Sequence, residues 1–165
     1  MRSTPELSAE TDEIEHLLHE VKTIAIVGIS RNQHKDSHYV GRYLKNAGYK
    51  VIPVNPGADK IMGEKAYSDL KSIPEQVDVV DVFIKPEYVP KVVDQALEIQ
   101  PKIVWLQLGT GSHPEEIDKS KKAGIKLIQN RCIKVDHQFL IRDRKNGERP
   151  EKSQCQIQTL STSTN

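Results

Sequence analysis

The segment Val27-Gly28-Ile29-Ser30, followed by Arg31, Lys35 and a helical pattern, has the composition of an anion-binding turn. Glycine lets the backbone approach an anion, and the free N–H groups at the start of the next helix meet it with the positive end of the helix dipole. Ser30 adds a hydroxyl, and Arg31 and Lys35 add cations that can neutralise phosphate. The turn departs from the dinucleotide fingerprint, because only the first glycine of G-x-G-x-x-G is present. A ribose site for NAD also calls for Asp or Glu about 20 residues further on, whereas the next strand ends Pro53-Val54-Asn55-Pro56. That end is either a Pro-flanked apolar rim with one amide for an adenine ring or a plain Asn-Pro-Gly turn.

Other reactive residues are sparse. The histidines His16, His19, His34, His38, His113 and His137 make no H-E-x-x-H pair, there is no Cys-x-x-Cys, and no Asp-rich loop spaces ligands for a metal. No metal site is expected. Cys132 is the nucleophile to watch: it follows the last strand beside Arg131, which favours thiolate. It is either a thiol that meets a ligand in redox chemistry or a buried, inert one. No complete set of base and nucleophile is visible, so no catalytic residue is assigned and the chain reads as a non-enzyme.

These residues need a scaffold, and the apolar patterning supplies one. Ile14, Leu17, Leu18 and Val21 have helical spacing and predict a leading helix over 11–21. Near-continuous apolar runs predict buried parallel strands at Thr23–Gly28, Tyr49–Val54, Val77–Ile84, Lys102–Leu108 and Ile125–Gln129. Helices are expected at Ser37–Ala47, Pro86–Gln100 and His113–Ala123, with Gly48 and Gly124 as stops, and a minor strand within Glu64–Leu70. Alternation of this kind predicts an α/β, Rossmann-like parallel sheet with helices on both faces, in a single domain. Ligands of such sheets bind beyond the carboxyl ends of the strands, so the junctions after each strand are the candidate site.

Lys and Arg number 24 against 23 Asp and Glu, and the formal net charge of +1 offers no field to gather nucleic acid or an anionic membrane. The longest apolar runs are strand-sized, short of the roughly 20 residues that cross a bilayer. No signal-peptide pattern stands at the N-terminus, and Cys132 and Cys155 lie in contexts too different for a structural disulfide. A cytoplasmic protein is expected, with a flexible stretch over 1–10, the domain over 11–140, and a polar, disordered tail over 141–165.

The succession Ile24-Ala25-Ile26-Val27-Gly28-Ile29-Ser30, Gly48-Tyr49-Lys50-Val51-Ile52-Pro53-Val54-Asn55-Pro56, Val77-Asp78-Val79-Val80-Asp81-Val82-Phe83, Val104-Trp105-Leu106-Gln107-Leu108-Gly109 and Asn130-Arg131-Cys132-Ile133-Lys134 resembles the stand-alone CoA-binding domain proteins. These are similar to the CoA-binding domain of the succinyl-CoA synthetase α-subunit, and the resemblance runs from about Ile14 to about Leu140. It implies a Rossmann-like fold that holds coenzyme A or an acyl-CoA across the strand ends. It puts the phosphates at Gly28, Ile29 and Ser30, with Arg31 and Lys35 nearby, and the adenosine against Val54, Asn55 and Pro56. Phe83, Ile84 and Lys85 match the path of nucleotide and pantetheine, and Gln107 and Gly109 the turn further along. Ile84 stands where many relatives have a basic residue, and Asn130 where they tend to have Asp. No counterpart of the synthetase's second domain, with its phosphorylated histidine, is expected within these residues. The resemblance thus implies a non-catalytic binding, carrier or sensor domain, with a small nucleotide ligand as partner and homo-oligomers left open. The alternatives are an NAD(P)-binding oxidoreductase-like protein and a CoA-dependent enzyme subunit that needs a partner.

Overall fold

The computed structural model describes residues 4–143, with side chains from residue 10 onward. They fall into two compact units, one spanning Val21–Ile133 and the other made of the flanking residues. The larger unit contains β1 Thr23–Val27, α2 Asp36–Asn46, β2 Lys50–Val54, β3 Lys60–Ile61, β4 Glu64–Lys65, β5 Val79–Val82, α3 Val89–Glu98, β6 Ile103–Leu106, α4 Pro114–Lys122 and β7 Lys126–Gln129. The other holds α1, Thr4–Glu20.

Five strands form one parallel sheet in the order β2-β1-β5-β6-β7. The chain moves from β1 to one side to make β2 and resumes on the other side with β5, so the topological switch point lies between β1 and β5. On one face Ala25, Val27, Val80, Val82, Val104 and Leu106 pack with Val89, Val93 and Ala96 of α3. On the opposite face α2 comes down on β1 at Gly41. A Cβ there would lie 3.0 Å from Ile29 Cδ1 and 3.3 Å from Ile26 Cδ1, so the missing side chain sets how closely the helix approaches. This is the expected Rossmann-like architecture, with helices on both faces of the sheet.

The three central strands, β1, β5 and β6, are buried on both faces, which is why they are near-continuous apolar runs. Asp81 breaks the run. It stands in β5 in register with Ile26 and Trp105, is fully buried, and neither carboxylate oxygen has a hydrogen-bond partner among the described residues. Burial pushes its carboxyl well above the usual carboxylate range, against a smaller opposing effect of the Val82 N–H. Asp78 contrasts with it: its Oδ2 accepts the N–H groups of Lys22 and Thr23 at 2.9 and 3.1 Å and ties the start of β1 to the entry of β5.

The expected minor strand is instead the antiparallel hairpin β3–β4, turning through Met62 and Gly63, both with positive φ. Tyr67 then bridges to Val54, donating its N–H to the Pro53 carbonyl and accepting that of Asn55. The helical stretch after β5 is divided into a 3-10 turn, Pro86–Tyr88, and α3, because Pro86 and Pro90 each suit a first turn.

In the smaller unit, α1 starts at Thr4, within the stretch expected to be flexible, and buries Ile14 and Leu18. It packs on a π-helical turn, Gln138–Arg142, which follows α5, Ile133–His137, and buries Leu140 and Ile141. These last two elements are too short for periodicity to announce. Most of the tail expected over 141–165, including Cys155, lies outside the described residues. No described helix is long and apolar enough to cross a membrane.

Candidate functional site

The loop after β1 is shaped by its own hydrogen bonds. Gly28 has φ +85°, a conformation that side chains rarely adopt, and its N–H donates to the Val54 carbonyl at 3.1 Å. The Phe83 carbonyl stands where a Cβ at Gly28 would be, so the ends of β1 and β5 meet backbone to backbone. Ser30 donates its N–H to Ser37 Oγ at 2.9 Å, and its carbonyl accepts from His38 Nδ1 at 2.8 Å. Asn32 in turn donates its N–H to Ser30 Oγ at 3.0 Å. The loop is thereby fastened to the first turn of α2. No side chain caps that helix, whose N-cap Lys35 is extended, so the helix opens without a side-chain acceptor.

Beside this loop lies a cavity of about 660 Å³ lined by Gly28, Ser30, Lys35, Asp36, Ser37, Phe83, Ile84, Lys85, Pro86, Tyr88, Leu108, Gly109 and Thr110. It sits at the switch point, at the carboxyl ends of β1, β5 and β6, where open α/β sheets take their ligands. Its lining includes two lysines, Lys35 and Lys85, and one aspartate, Asp36, and the amide end of α2 adds a positive partial charge. The arrangement suits a phosphate-bearing molecule whose remainder is largely apolar.

Of the residues singled out from sequence, Gly28, Ser30, Lys35, Phe83, Ile84, Lys85 and Gly109 share this wall. The others lie elsewhere. The side chain of Ile29 is wholly buried under α2, and Arg31 is exposed outside the cavity. Val54 is core. Asn55 donates Nδ2–H to the Ile29 carbonyl at 2.9 Å and accepts the Gly57 N–H at 2.8 Å, clamping the loop after β2 to the loop after β1. Pro56 follows it, exposed. Gln107 is buried, and its Oε1 accepts the Ile133 N–H at 3.1 Å, a structural tie. Cys132 is half-buried and is not part of the wall.

Pro86 and Thr110, in the strand-end junctions Lys85-Pro86 and Gly109-Thr110-Gly111 expected to form the site, also line the cavity, whereas Asp36, Ser37, Tyr88 and Leu108 were not expected there. They neighbour assigned residues, and the rule that ligands bind after strands would have reached them had each junction been read through to the next helix. Leu108 and Thr110 belong to a braced turn: Thr110 donates its N–H and its hydroxyl to the Gln107 carbonyl, at 3.2 and 2.8 Å. Behind it His113 is buried and donates Nε2–H to the Thr110 carbonyl at 2.6 Å.

Comparison with known proteins follows the same outline. A family model described as CoA binding domain matches residues 22–138. The uncharacterized protein YneT of Bacillus subtilis is 39% identical over 125 residues, covering 76% of this chain and 92% of that one. An ADP-forming acetate–CoA ligase of Archaeoglobus fulgidus is 34% identical over 79 residues, which are 47% of this chain but 12% of the ligase. Among solved structures, a hypothetical protein from Pyrococcus horikoshii superposes with a TM-score of 0.76 at 36% identity, covering 79% of this chain and 92% of that one. A Thermus thermophilus structure gives 0.75 at 38% identity, covering 79% and 98%.

Proposed function

This chain belongs to the CoA binding domain family, and on that premise we propose that it binds coenzyme A or an acyl-CoA between the ends of β1 and β5, as a carrier or sensor that does no chemistry on its ligand. The observation that carries this reading is the shared wall. Gly28, Ser30, Lys35 and the uncapped start of α2 offer amides and a cation to phosphate, while Phe83, Ile84 and Lys85 continue the same surface across the sheet edge. NAD is disfavoured by the missing second and third glycines and by Asn55, whose side chain is engaged in bridging two loops where a ribose-binding acid would stand.

Isothermal calorimetry with coenzyme A, acetyl-CoA and NAD tests the reading. Micromolar binding of the first two and none of NAD is expected. A heat signal from NAD alone, or from no ligand, would overturn it.

A second reading rests on the ligase relatives, of which the chain matches a small part. In it, the chain is the CoA-holding part of an assembly whose partner supplies the chemistry. A second polypeptide that copurifies with the chain and confers ADP-dependent CoA turnover would favour it.

A further inference from the structure

The two ends of the cavity differ in chemistry. Over β1 the wall carries Ser30, Lys35, Asp36 and Ser37, whereas over β5 and β6 Phe83, Ile84, Pro86, Tyr88 and Leu108 add an apolar surface beside Lys85 and Thr110. Tyr88 and Leu108 are 56% and 47% exposed, two of the three exposed large hydrophobic side chains among the described residues. Single exposed apolar residues are ordinary. Here two of them border one concavity, and both stand on braced turns. Tyr88 closes the turn begun by Pro86, its N–H donating to the Lys85 carbonyl at 3.0 Å. Leu108 rides on the Gln107–Thr110 turn, held by the hydrogen bonds from Thr110 and His113. The two turns abut, since a Cβ at Gly111 would lie 3.1 Å from Pro86 Cβ. Such an apolar lip does not fold away from water on its own.

We infer that the preferred ligand is a CoA thioester bearing a medium-length hydrocarbon acyl chain, its phosphates over β1 and its chain against Tyr88 and Leu108. The inference rests on the coenzyme A reading above and adds the class of acyl group. The apolar lip is continuous with the cation-bearing wall, so one molecule with an anionic head and a greasy tail covers both. Free coenzyme A ends in a thiol and has no tail to shield the lip. Each methylene taken fully out of water strengthens binding roughly fourfold, and an open lip shields a chain on one side only. Octanoyl-CoA is therefore expected to bind at least about tenfold more tightly than acetyl-CoA.

Calorimetry with coenzyme A, acetyl-CoA and octanoyl-CoA below its micellar range, alongside molar mass in solution, tests this on the wild type and on Leu108→Ser and Tyr88→Ser. Both positions are exposed, so neither substitution empties the core. The expected result is a tenfold or greater preference for octanoyl-CoA over acetyl-CoA that shrinks to within about threefold in either variant. Equal affinity for all three ligands overturns the inference and leaves the coenzyme A reading standing. Binding of none overturns both. A dimer that Leu108→Ser dissociates, with no chain-length preference, assigns the lip to a second copy of the chain and overturns the inference.

Discussion

The carbonyl of Phe83 occupies the space that a Cβ on Gly28 would need, so the switch point of the sheet closes only because residue 28 has no side chain. With φ at +85°, an alanine there is strained even before it meets Phe83. Gly28→Ala is expected to lose at least ~2 kcal/mol from the left-handed conformation and the displaced strand end together. Thermal unfolding should show a fall in Tm of several degrees, and calorimetry a loss of coenzyme A affinity of tenfold or more. Unchanged values for both would show that the contact has no role.

Asp81 gives a pH dependence whose sign is fixed. Its carboxyl titrates higher in the folded protein than in the unfolded chain, because burial without a partner disfavours the charge. The folded state therefore holds a proton that the unfolded state releases. The stability this lends is present below the unfolded value, near 3.9, and is lost as pH rises towards the folded value. Across that window the loss approaches about 1.4 kcal/mol per pH unit. Urea unfolding of wild type and Asp81→Asn should show a difference that shifts in favour of the variant between pH 4 and neutrality. A constant difference would mean that Asp81 does not titrate in this way.

Asn55 joins two strand-end loops with both ends of its amide. Asn55→Ala removes both bonds and is expected to cost about 1–3 kcal/mol, seen as a lower urea midpoint. Coenzyme A affinity should fall with it, since the Gly28–Ser30 loop loses its brace. Asn55→Asp keeps the acceptor for Gly57 but faces the Ile29 carbonyl with an anion, and should do no better.

Lys85 lies on the cavity wall beyond β5. Lys85→Gln should weaken coenzyme A binding by up to about fivefold, the scale of an exposed ion pair, and flatten the dependence of Kd on salt. Titrations at 50 and 300 mM salt measure both effects. Full retention of the salt dependence would locate the phosphates away from Lys85.

The sheet was legible because its central strands are buried on both faces, so composition alone marks them, as in Ile24–Val27 and Val79–Val82. The site was legible only to the level of junctions. The positive-φ turn at Gly28 and the neighbouring Lys35 follow from residue type, but nothing in Val54-Asn55-Pro56 reveals that its amide bonds across to the Ile29 carbonyl. Ile29 illustrates the same limit: it is adjacent to Gly28 in sequence, yet its side chain lies beneath α2 at Gly41. Tyr88 fell within an expected helix and Leu108 at the end of an expected strand, and their exposure is a tertiary property that neither pattern reveals. Asp81 was read as part of a strand, and its lack of a partner depends on neighbours far away in sequence.

The outer margin of β2 has one further consequence. Pro53 has no N–H to offer there, its carbonyl is already taken by Tyr67, and Tyr67 in turn holds the Asn55 N–H. A foreign strand that approached the carboxyl end of β2 would thus find no ladder to extend. The carboxyl end of the sheet, where the cavity opens, is thereby closed, on its β2 flank, to self-templated fibre growth.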